Sequence, residues 1–135
     1  MALSATISFL SLGITAARAA EAEKEETVKI PATADGILMA IHEHHTALAD
    51  TVKSKKLEDV HVHAFAIRDL ANALSPKADA SKKARVDGAL KNISTLADDL
   101  DKSGDAGDQA KTEANLKKLD GVLKVLNAQF EMKMK

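Results

Sequence analysis

The 135-residue chain has no cysteine, no tryptophan and no tyrosine, and it contains only two prolines. Without cysteine there is no disulfide scaffold, no thiolate metal site and no Cys-x-x-Cys-His attachment for a c-type haem. Three phenylalanines are the only aromatics, too few to offer a stacking platform for single-stranded nucleic acid. An excess of positive charge is missing as well. Lysine and arginine number 19 against 20 acidic residues, a net charge of −1. No basic field therefore draws in nucleic acid or an anionic membrane. Nor does the sequence carry a phosphate-binding loop or a Ser/His/Asp arrangement, so an enzyme is not expected.

What is present is mostly Ala, Leu, Ile and Val in a chain whose charges of both signs are interspersed. This composition favours helices with solvated outer faces. Residues 1–19 have no acidic residue, an apolar run from about Ala5 to Ala17, and Ala17-Arg18-Ala19 at the end. The run is shorter than the ~20 residues a membrane span takes, and its small-x-small ending fits a secretory signal peptide cut after Ala19. The apolar run has no lysine or arginine before it, and the competing reading is an N-terminal arm. Cleavage would place the mature chain in the periplasm or outside the cell, with no membrane insertion. Residues 20–32 are acidic and aperiodic, the pattern of a mobile leader, and Thr33 is a suitable helix cap.

Four helical patterns follow. Ala34, Leu38, Ile41, His45, Leu48 and Val52 mark a first helix over roughly 33–53. Val60, His63, Ile67, Leu70 and Leu74 mark a second that ends at Ser75-Pro76. Val86, Leu90, Ile93, Ala97 and Leu100 mark a third. A turn-rich link, Asp101 to Asp108, leads to a fourth helix with Leu116, Leu119, Leu123, Leu126 and Phe130. Each stripe recurs at spacings of three and four, as a helix packed along one side requires. With short links between them, the expected fold is all-α, an antiparallel up-down-up-down four-helix bundle over residues 33–134.

All five histidines lie between His42 and His63. His42, His44 and His45 precede the polar break Lys53-Ser54-Lys55-Lys56, and His61 and His63 follow it at matching distances. At ~1.5 Å per residue, a hairpin turning at that break gathers them into a slab roughly 8 Å thick. His45 and His63 occupy core-facing slots, and His42 lies one turn before His45. One site is therefore expected from His45, His63 and His42, with His44 and His61 completing it or forming a second, more exposed pair. Imidazole ligation without thiolate suits Cu(II), Zn or Ni. Glu58 and Asp59 are close enough in sequence to act as carboxylate ligands or as acceptors behind the imidazoles. The competing reading is a hydrogen-bonded polar layer in a metal-free module that docks on a membrane or envelope partner. A homodimer pairing two such hairpins would bring ten histidines together.

The pattern over residues 33–134, with the helical run from Leu116 to Phe130, resembles periplasmic proteins of the cytochrome b562 type. That likeness implies an exported four-helix bundle. The family holds haem between a methionine early in its first helix and a histidine late in its last. Here the last helix has no histidine and Met39 lies off the core stripe, so neither ligand carries over and haem is not expected. Di-iron bundles need His and carboxylate ligands from all four helices, and the third and fourth helices here supply no histidine. The cluster itself resembles the small His-bearing helical proteins of periplasmic heavy-metal resistance systems, which implies a metal buffer, carrier or sensor.

Overall fold

A computed structural model of the chain describes residues 27–130; the expected signal peptide, most of the expected leader and the last residues of the expected bundle lie outside the described residues. Four α-helices make up the fold: α1 (Ala34–Lys53), α2 (Val60–Asn72), α3 (Lys83–Asp105) and α4 (Gln109–Phe130). Two short 3-10 turns, Leu57–Asp59 and Ser75–Lys77, lead out of α1 and α2. The architecture is all-α, with no strand among the described residues. Each helix packs chiefly on its neighbour in sequence, and α4 also touches α1.

Local chemistry sets the boundaries of α1. Thr33 has extended backbone angles, and its Oγ1 accepts a hydrogen bond from the Gly36 N–H at 3.1 Å, satisfying one of the donors that a helix start leaves open. At the other end Lys55 takes a left-handed φ of 58°. The Lys55 N–H then reaches the Val52 carbonyl and the Lys56 N–H the Thr51 carbonyl, at 3.0 and 3.1 Å. This paired closure of the last turn is usually built on glycine. Here lysine adopts it, and the chain reverses over the break anticipated from the polar residues.

The apolar stripes become the core. Ile37, Leu38, Ile41, Leu48 and Val52 of α1 are buried with Val60, Ala64, Ile67 and Leu70 of α2. Val86, Leu90, Ile93, Ala97 and Leu100 of α3, and Leu119, Leu123 and Leu126 of α4, join the same cluster.

The third helix runs further than its sequence indicates. The stretch Asp101-Lys-Ser-Gly-Asp105 is helical, and the link is only Ala106-Gly107-Asp108. Ser103 and Gly104 are buried. Ser103 Oγ donates to the Leu100 carbonyl at 3.1 Å, and Thr112 Oγ1 lies 3.0 Å from Ser103 Oγ and 2.7 Å from the Asp108 carbonyl. Asn115 Nδ2 reaches the Asp99 carbonyl at 3.2 Å. These buried polar groups satisfy one another, as their burial requires. Gly107, with φ 66°, closes α3 through the same paired hydrogen bonds seen at Lys55. Asp108 immediately caps α4, accepting from the Lys111 N–H at 3.0 Å.

Candidate functional site

The five histidines lie on the α1–α2 hairpin, three on the middle of α1 and two on the first turn of α2. The structure pairs them differently from the expected grouping. The ring that meets His63 is His44, with Nδ1 to Nδ1 at 3.2 Å and ring centroids 5.5 Å apart. His44 lies on the edge of α1 that runs Ala40, His44, Ala47, Thr51, all half-buried. A neutral imidazole has one N–H and one bare nitrogen. One ring therefore donates its Nδ1 proton and the other accepts it.

His45 is turned the other way, toward α4. Asp120 and Lys124 are the charged groups that act on it from that helix, and His42 acts on it from the preceding turn of α1. Its Nε2 is buried and has no hydrogen-bond partner. His42 is exposed and His61 is half-buried. The expected grouping of His45, His63 and His42 thus divides into a His44–His63 pair facing α2 and a His42–His45 pair on the side of α4.

The carboxylates divide too. Asp59, at the start of α2, acts on His63. Glu58 lines a separate depression of about 490 Å³ with Lys55, Gly104 and Gln109. Glu43 is exposed. Among the described residues no three His, Cys, Asp or Glu side chains gather closely enough to hold an ion by themselves. Met39 is 59% exposed. Phe65 is half-buried against the core, and the Arg68 guanidinium lies 4.5 Å from its ring centre.

Burial pushes the pKa of His45 below its ordinary 6.5; Asp120 opposes the shift, while His42 and Lys124 add to it. The pKa of His63 is lowered by burial and then by His44, against the pull of Asp59. Both rings thus resist protonation in the folded chain more than in the unfolded one. Above about pH 6.5 both states are neutral and the groups contribute nothing. As pH falls below that value the unfolded chain takes up more protons, and stability declines until the folded pKa is passed. We expect the melting temperature to fall between about pH 7.5 and 5.5, and to fall less in His45→Leu. Thermal melts across that range check this; an unchanged slope in the variant would remove His45 as a source of acid sensitivity.

Among the described residues no helix is long and apolar enough to cross a membrane. No protein-family model, curated protein or solved structure matches this chain, so the resemblances drawn from its sequence rest on residue pattern alone.

Proposed function

We propose that this protein binds a divalent transition metal through the histidines of the α1–α2 hairpin, acting as a buffer, carrier or sensor in the periplasm. The observation that carries the reading is the His44–His63 contact. Two imidazole nitrogens on one tetrahedral ion, each bonded at ~2.05 Å, stand about 3.3 Å apart. The two Nδ1 atoms are 3.2 Å apart before any ion arrives. An ion binds there once the donating ring carries its proton on Nε2 instead of Nδ1 and the rings swing until both Nδ1 lone pairs converge on it. Asp59, near His63, supplies negative charge behind the pair. Cu(II), Zn and Ni are the ions this donor chemistry suits. His42 and His61 are further donors on the same hairpin, whereas His45 is turned from the pair toward α4, and haem has no part in the reading.

The scaffold we infer is an antiparallel up-down-up-down bundle. The three-residue links at 54–56 and 106–108, together with the contact of α4 on α1, support that arrangement.

Calorimetric titration of the metal-stripped protein with Cu(II), Zn and Ni tests the reading. Saturable, stoichiometric heat with one ion is expected near neutral pH and is lost near pH 5, where imidazoles are protonated. His44→Ala or His63→Ala should each weaken binding by more than about 100-fold, since losing only a group behind a ligand already costs roughly 10–100-fold. Unsaturable heat with all three ions would sink the reading.

A second reading, a metal-free module that docks on an envelope partner, draws on a shallow trough between α3 and α4. Ala89, Val122 and Val125 line it, Arg85 and Lys118 flank it, and Val125 is 53% exposed. This reading expects no tight ion, so the same titration separates the two.

A further inference from the structure

The His44–His63 pair supplies two nitrogen ligands, whereas a closed tetrahedral site needs four. Among the described residues no third His, Cys, Asp or Glu joins them to make a site within one chain. His45, the nearest alternative in sequence, is committed to the side of α4. His44 and His63 are both half-buried, so part of each ring reaches the surface. Ala40 and Ala47, one turn to either side of His44 along the same edge, are half-buried and short.

We propose that the ion is shared between two copies of this chain, each contributing His44 and His63 to a four-imidazole site on a two-fold axis. The proposal rests on the metal-binding reading above and goes beyond it by naming the partner and the stoichiometry. A two-fold contact sets the same patch of each copy against itself, which suits a site whose missing half is identical to the half present. Val62, the residue before His63 on the same turn of α2, is a 40% exposed apolar side chain. Asp59 acts on His63 in each copy, so the assembled site would set two carboxylates against the charge of a divalent ion. Without the ion those like charges oppose association. Dimerisation is therefore metal-dependent.

The test adds zinc stepwise to the metal-stripped full chain and follows mass by analytical ultracentrifugation, with retained zinc measured after dialysis. The expected result is a doubling of mass that saturates at one zinc per two chains. His44→Ala and His63→Ala should each stay monomeric and retain no zinc. His45→Ala should dimerise as the unaltered protein does, and circular dichroism confirms that all three variants are helical. Zinc retained at one per chain with no change in mass overturns sharing but leaves metal binding standing. No retained zinc overturns sharing, while metal binding itself falls only if Cu(II) and Ni also fail to bind. A doubling of mass that persists in His44→Ala and His63→Ala, or without zinc, overturns the ion as the bridge.

Discussion

Ile67→Ala is expected to cost about 3 kcal/mol of folding stability, lowering the melting temperature by on the order of 15 °C. Ile67 is fully buried and sits one turn after His63 on α2. Of the four helices α2 is the shortest, with 13 residues against 20 or more in the others. It packs on both α1 and α3, so a cavity in its middle loosens two interfaces together. Truncation to alanine removes three carbons from a close-packed site that cannot fully collapse. Ile67→Val removes one and should cost about 1 kcal/mol. Denaturant melts of the pair check the ladder, and equal losses for both would mean that the site relaxes around either change. The effect reaches the histidines, because Ile67 anchors the turn of α2 that holds His63 against His44. Zinc affinity in Ile67→Ala should therefore fall even where the chain remains folded.

The stripes were legible in the sequence because burial follows spacing. Leu38, Ile41, Leu48 and Val52 occupy one side of α1 and are all buried. Thr33 and the lysine-rich break were legible for a similar reason, since caps and reversals are made by particular side chains at particular offsets. The pairing of histidines was not. Successive residues on a helix point about 100° apart, so His44 and His45 stand on opposite borders of the α1 stripe. A wheel gives the centre of the stripe but not which border meets α2 and which meets α4. That choice depends on how the helices are arranged around the core, and it decided that His44 would face His63. Ile37 was missed for the same reason. It lies off the four-three stripe yet is fully buried, because α1 is flanked by two helices and buries a face wider than one row.

Gly104→Leu is expected to destabilise the fold by about 3 kcal/mol or more, and the reason is the feature of the chain that its sequence concealed best. Ser103, Gly104 and Gly107 sit in a run of turn formers, and Gly and Ser are poor helix formers. In the structure Gly104 is buried near the end of α3, where a Cβ would come within 2.7 Å of the Leu57 carbonyl and 3.3 Å of Val60. Glycine is required there by closeness of approach, since its backbone is helical. The contact holds the Leu57–Asp59 turn and the start of α2 against α3, and so fixes the end of the hairpin that carries the histidines. Any larger side chain must push that turn away. Gly104→Ala should already lose stability, because the clash with a backbone carbonyl outweighs the ~1 kcal/mol that alanine gains in helix propensity. Gly88 provides the contrast. It is exposed on the same helix with nothing within 4 Å of its would-be Cβ, so Gly88→Ala should gain about 1 kcal/mol. Denaturant midpoints for the three variants decide the matter. Opposite signs for the two alanine substitutions identify the close approach as the cause, whereas a gain at both sites would mean that α3 and the turn can separate without loss.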